Sequence, residues 1–262
     1  MRWLCFLLLT SLAAARSAVS QAAPGAPAPA SPAGPKALRF DITALPTSRD
    51  SFVFHSRGQE RGWAVWQYEV RTLETTQQLI YTASSEFRPI EEEHLRIVVN
   101  RLTGDPISTY HHIDLFSPAS DTVMVEHDLD VKGQEISGRR RVGTRSGEVA
   151  IVPVHHPLPA GSILGDYMLF AGAVTNAAPG DSFVVASYKE FADSLVTVSV
   201  VAGAPTTIEV PAGRFNVLPL TSGAFRIYAT RAAPRRVVKG ETLDGTFSFE
   251  LVHSGLVIPT HE

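Results

Sequence analysis

The stretch Thr122–Val131, TVMVEHDLDV, alternates apolar with polar or acidic side chains. Successive side chains of a β-strand point to opposite faces, so Val125 and Leu129 share one face while Glu126 lies on the other. This pattern predicts a strand with one buried and one wet face, which is typical of an antiparallel sheet. His127 falls on the face of Val125 and Leu129, where a neutral imidazole needs a hydrogen-bond partner.

The same period of two recurs along the chain, in Ser194–Val201, Phe225–Thr230 and Thr246–Val252. Turn-forming pairs such as Lys132-Gly133 and Pro179-Gly180 separate these runs at short intervals. On this basis the sequence predicts roughly a dozen strands. We expect a mainly β fold with a large curved antiparallel sheet, either a half-barrel or a partly closed barrel.

One segment has the helical period instead. Ser162 is suited to cap a helix in which Ile163, Tyr167, Phe170 and Val174 share one stripe. The sequence therefore predicts that one or a few helices cover a face or an end of the sheet.

The N-terminal residues predict export. Arg2 precedes the apolar run Leu4–Leu12, and small residues suited to cleavage follow, so residues 1–22 are interpreted as a signal peptide. Residues 23–36 are almost entirely Ala, Pro, Gly and Ser and predict a linker, and residues 37–262 a single β-rich domain. We expect a periplasmic or secreted protein with no integral membrane span in the mature chain, in which no cysteine remains once Cys5 is removed.

Composition and motifs exclude several classes of function. The net charge is −3 and the basic residues are scattered, which argues against a nucleic-acid partner. No glycine-rich phosphate loop or dinucleotide motif follows a strand, so no cofactor is predicted. Ser162 in GSILG stands one place too early for a nucleophile elbow, and we predict no catalytic residue and no enzyme activity.

Histidine pairs occur at His111-His112 and His155-His156. Neighbours on a regular strand face opposite ways and cannot hold one ion together. No metal site is predicted.

Aromatic side chains mark the stretch Gly62–Tyr68, with Trp66 and Tyr68 on one face and Trp63 on the other. Such residues either pack in a core or stack against a ligand. If the shared face lines a hollow, the ligand-binding residues are Trp66, Tyr68, His127 and Phe170.

The C-terminal part carries a family resemblance. Glu209–Val217, EVPAGRFNV, precedes the strand Phe225–Arg231 and then Pro234–Lys239. This series resembles an uncharacterised family of bacterial exported β-proteins, which are similar to LolA-like lipoprotein-carrier half-barrels. Within it, Pro211 and Gly213 predict a tight turn or bulge that bends the sheet between two strands.

The resemblance implies an exported, non-catalytic cell-envelope protein that binds an apolar ligand, such as a lipid or acyl chain, in the hollow of the sheet. Two alternatives stay open. One is a hydrolase whose residues come from distant strands around His127 or His155. The other is an interaction module that offers a sheet edge or face to an envelope protein.

Overall fold

A computed structural model describes residues 40–165 and 172–256. The predicted signal peptide 1–22, the linker 23–36 and Phe170 lie outside the described residues. A short 3₁₀ turn, Ile42–Ala44, precedes the sheet. The strands are β1 (Ser48–Ser56), β2 (Gln59–Leu73), β3 (Thr76–Phe87), β4 (Glu91–Asn100), β5 (Pro106–Leu115), β6 (Thr122–Lys132), β7 (Glu135–Thr144), β8 (Val149–Pro157), β9 (Ile163–Leu164), β10 (Ser182–Lys189), β11 (Ser194–Ala202), β12 (Thr206–Val210), β13 (Gly213–Ser222), β14 (Phe225–Thr230), β15 (Val237–Thr242) and β16 (Phe247–Leu256).

All these strands belong to one sheet of 16 strands. Its order is β8-β7-β6-β5-β4-β3-β2-β1-β16-β15-β14-β13-β11-β10-β9, and β12 pairs with β13 beside this path. Described neighbours pair antiparallel except β9 and β10, which are parallel. The sheet is curved and does not close, with almost no helix, which confirms the predicted mainly β fold.

One face of the sheet carries the buried side chains, and we call it the concave face. A row of directly paired residues crosses this face from β2 to β8, in the order Trp66, Ala83, Leu95, His111, His127, Arg140 and Val152. The alternation in β6 places His127 on this face, fully buried, as predicted. Trp63, the neighbour of opposite parity in β2, is 45% exposed.

Aromatic rings fill the concave face at β1–β3 and β16. The Trp66 ring lies 4.2 Å from Phe52 and 5.2 Å from Phe249, centroid to centroid. Tyr68 stacks on Tyr81 at 5.3 Å. We call these five rings the aromatic cluster. Large rings contribute most to a core of this kind, because each buries about 150–250 Å².

The turn predicted in EVPAGRFNV is confirmed. Val210 pairs with Gly213, so β12 and β13 form a hairpin through Pro211 and Ala212. Gly213 has φ 130°, a conformation that side chains disfavour. Pro219, which has no N–H to donate, lies where β13 exchanges its partner β12 for β11.

The predicted start of the helix at Ser162 is wrong. Ile163 and Leu164 form β9, which pairs in parallel with β10. Both side chains are buried, and the short strand gains ladder hydrogen bonds that a capped helix would not. Residues 172–174 are helical, and a Cβ on Gly172 would lie 2.3 Å from Ile227 Cδ1, so this helical end packs tightly against β14.

Candidate functional site

The turn between β10 and β11 lies against the concave face of β5 and β6. The Phe191 ring of this turn is 4.7 Å from the His111 ring and 5.3 Å from the His127 ring. Polar and ionisable side chains gather around the contact, and we call them the polar seam: Glu93, His111, His127, Arg140, His156, Tyr188, Glu190 and Asp193. Some of these groups are buried, such as His111, His127 and Glu190, and the others are half-buried. Ionisable groups that lose contact with water are candidates for function, because burying them costs free energy.

Glu93 and His111 form the innermost pair of the seam. His111 Nε2 lies 2.5 Å from Glu93 Oε1, and the imidazole is fully buried. Ser85 donates its hydroxyl to the other carboxylate oxygen, Glu93 Oε2, at 3.1 Å. Glu93 reaches the concave face because it has the same parity in β4 as the buried Leu95.

Asp193 connects the β10–β11 turn to β8. Its Oδ1 accepts hydrogen bonds from Tyr188 Oη at 2.6 Å and from His156 Nε2 at 2.8 Å. Burial opposes ionisation of Asp193, but these two hydrogen bonds and the charges of His156 and Arg140 outweigh it, so its pKa lies below the ordinary value. Burial and the same carboxylate raise the pKa of Tyr188. The cluster therefore holds a carboxylate and a neutral phenol.

Arg140 has no such partner. It faces His127 across the β6–β7 ladder. Its Nε is buried without a hydrogen-bond partner, and its charge acts on Asp193 and Tyr188 only through space. The residue as a whole is half-buried, so its guanidinium can still donate to an added acceptor.

Asp50 is a second buried carboxylate on the concave face, opposite Trp66 in the β1–β2 ladder. It is 1% exposed, accepts a hydrogen bond from Ser254 and has Arg236 Nη1 3.7 Å away. Burial raises its pKa despite these partners. We interpret this pair as part of the folded core, since Arg236 already compensates the carboxylate.

The predicted ligand-binding residues divide between two clusters. Trp66 and Tyr68 lie in the aromatic cluster, 3% and 1% exposed, whereas His127 lies in the polar seam. Four strand spacings separate Trp66 from His127 along their shared row, which is about 19 Å along the sheet. Ligand binding by these residues stays a prediction, and Phe170 lies outside the described residues.

Reasoning from the sequence missed Asp50, Glu93, Arg140 and Asp193. The alternation that places His127 on the buried face also places the first two there. Asp50 is two residues from the buried Phe52, and Glu93 is two residues from the buried Leu95. Arg140 reaches the seam through the register of β7 on β6, and Asp193 through the position of the β10–β11 turn. Neither feature can be predicted from the pattern of a single strand.

The polar seam does not have the order of a hydrolytic triad. In a triad the imidazole stands between the hydroxyl and the carboxylate. Here Ser85 bonds to the carboxylate of Glu93 rather than to the imidazole of His111. On the opposite face Ser84 Oγ lies 3.1 Å from His94 Nδ1, but His94 is 54% exposed on an open strand surface. Such exposed pairs are ordinary surface contacts.

Solvent reaches the concave face near the polar seam. Val152, which pairs with Arg140, is 44% exposed, and Val196 of β11 is 38% exposed although it shares its face with the buried Val200. β8 is an edge strand of the sheet. On the opposite face of β8, Val149 and Ile151 are 48% and 66% exposed. A separate open groove of about 530 Å³ is lined by Glu60, Arg61, Gly62, Arg88 and Pro89.

No family model matches this chain, and no curated protein does. Among solved structures, the chain is similar to a Bacteroides fragilis protein that is inferred to be exported and has a YmcC-like fold. The alignment covers 83% of this chain and 99% of that protein, with 7% sequence identity and a TM-score of 0.33. At this level of similarity, function has to be argued from the residues themselves, and the LolA-like resemblance stays an expectation.

Across residues 40–165 and 172–256, no helix has the length and apolar character needed to cross a membrane. Within the same ranges no three histidine, cysteine or acidic side chains come together in a way that could hold a metal ion.

Proposed function

We propose that this chain is an exported cell-envelope protein that binds an apolar ligand, a lipid or an acyl chain, on the concave face of its sheet without catalysing a reaction. Export rests on the N-terminal sequence pattern. Ligand binding rests on one observation above all, the apolar surface that solvent reaches on an otherwise buried face. A wet apolar surface beside a core is what a bound chain would cover.

The apolar surface borders the polar seam. Val152 stands directly opposite Arg140, and Phe191 contacts both inner histidines. A ligand lying here would meet the apolar side chains of Val152 and Phe191 beside the polar groups of the seam. Small-molecule sites in proteins have this composition.

We propose that the site binds its ligand without catalysing a reaction. Ser85 donates its hydroxyl hydrogen bond to Glu93, and the carboxylate of Asp193 already accepts two hydrogen bonds. A general base has to reach the proton that it removes. Glu93 and Asp193 each already accept hydrogen bonds from neighbouring side chains, which favours a binding site over a reacting one.

Native mass spectrometry tests the proposal. We expect the mature chain, released gently from the envelope of an expressing cell, to carry an acyl-chain adduct, and the stripped protein to rebind oleyl alcohol. Val152→Asp should weaken rebinding at least tenfold, because it places a charge where the chain lies.

The matched control is Ile151→Asp, one residue away on the opposite face and 66% exposed. It should leave binding unchanged, and both variants should unfold at the same denaturant concentration as the parent. Protein that is empty on isolation and binds neither oleyl alcohol nor oleate contradicts the proposed function.

A further inference from the structure

The carboxylates of the polar seam have hydrogen-bond partners, whereas its guanidinium is less completely paired. Each carboxylate has a donor: Glu93 has His111 and Ser85, Asp193 has Tyr188 and His156, and Glu190 Oε2 accepts the Gly165 N–H at 3.2 Å. Arg140 carries the guanidinium of the seam, and its Nε is buried without a hydrogen-bond partner although the residue as a whole is half-buried. A guanidinium nitrogen that leaves bulk water is normally paired with an acceptor.

A second donor in this part of the concave face is also unused. Thr109 lies two residues before His111 in β5 and is 2% exposed. Its hydroxyl has no hydrogen-bond partner. A buried hydroxyl without a partner is unfavourable, so an acceptor that reached it would be favoured.

We propose that the polar seam binds an anionic head group, a carboxylate or phosphate, of the ligand whose chain lies on the concave face, with Arg140 as its main contact. This inference rests on the proposed function for the chain but adds a charge requirement that an apolar site alone would not have. Guanidinium groups bind both anions through paired N–H donors.

The surroundings of Arg140 fix where the two ends of the ligand lie. Val152 is its ladder partner on β8 and is 44% exposed, so an apolar chain can leave the seam along this side. Asp193 is near enough to influence Arg140 electrostatically, yet it is hydrogen-bonded to Tyr188 and His156. The guanidinium therefore stays available to a further acceptor.

Four probes test the head group: oleate, oleyl phosphate, oleyl alcohol and inorganic phosphate, each titrated against the full mature chain. We expect Arg140→Gln to lower the affinity for oleate or oleyl phosphate about tenfold or more, as the loss of a charge-assisted hydrogen bond does. Affinity for oleyl alcohol should change less than about twofold. Whichever anion loses more identifies the head group.

The control is Arg139→Gln on the same strand. Arg139 faces the other side and donates to Asp128 at 3.1 Å, so its loss should leave all four affinities unchanged. If Arg140→Gln weakens oleyl alcohol as much as it weakens the two anionic probes, or weakens neither oleate nor oleyl phosphate, the head-group inference is overturned while ligand binding stands.

An anion site can also exist without the chain site of the proposed function. If no oleyl compound binds, but inorganic phosphate shifts the Arg140 Nε–H resonance and Arg140→Gln removes the effect of phosphate on the surrounding resonances, an anion site exists without a chain site. If phosphate has no effect either, both proposals are overturned.

Discussion

Trp66→Ala should lower the free energy of unfolding by about 4 kcal/mol, which is the usual cost of removing a buried indole. The ring is 3% exposed and packs against Phe52, Tyr81 and Phe249, so no solvent or flexible loop can fill the space. Urea denaturation followed by circular dichroism measures the change. The cavity would also appear as faster exchange of the amide protons of β1 and β3, the strands that pair with β2 on either side of Trp66.

Trp63→Ala is the matched control, because it removes the same side chain from the same strand on the opposite face. Trp63 is 45% exposed, and we expect a loss of less than about 1 kcal/mol. Equal losses for the two variants would show that the face assignment of β2 is wrong. The assignment of Trp66 and His127 to one row on the concave face would then be wrong too.

Gly62→Ala should cost about 3 kcal/mol, because the added methyl group meets backbone rather than a movable side chain. A Cβ at this position would lie 1.8 Å from the carbonyl oxygen of Glu86. Strands β2 and β3 would have to separate there, beside Phe87 and the aromatic cluster. A urea titration checks the value.

Gly255→Ala controls for the general effect of replacing glycine in a strand. Its Cβ would meet only His253 Nε2 at 3.7 Å and Arg49 O at 3.9 Å, which is ordinary contact. We expect a change of zero to about 1 kcal/mol in favour of the folded state, because alanine restricts the unfolded chain. A stable Gly62→Ala variant would contradict the close approach of β2 and β3.

The sequence predicts the β elements well because a period of two depends only on the strand itself. Thr122–Val131 is enough to place His127 on a buried face, and Pro211 with Gly213 is enough to place a hairpin. The prediction fails where one segment fits the patterns of both a helix and a strand. Ile163 and Leu164 fit a helical stripe and a buried strand equally well, and pairing with β10 decides between them.

The polar seam could be predicted only in part. Single-strand parity brings His111 and Glu93 to the concave face, but their contact depends on the register of β4 on β5. The contacts of Asp193 need the curvature of the entire sheet, which brings a turn after β10 to the end of β8. Pairing distant in sequence leaves no local signal, since propensity and period are both local.

The most direct measurement of the central claim is photolabelling with a fatty acid that carries a diazirine in its chain, followed by tandem mass spectrometry of the peptides. Ligand binding on the concave face predicts label on Val152 and on Phe191, and loss of that label in excess oleate. Label spread over residues of the opposite face, such as Trp63 and Ile151, or label that oleate does not displace, would contradict it.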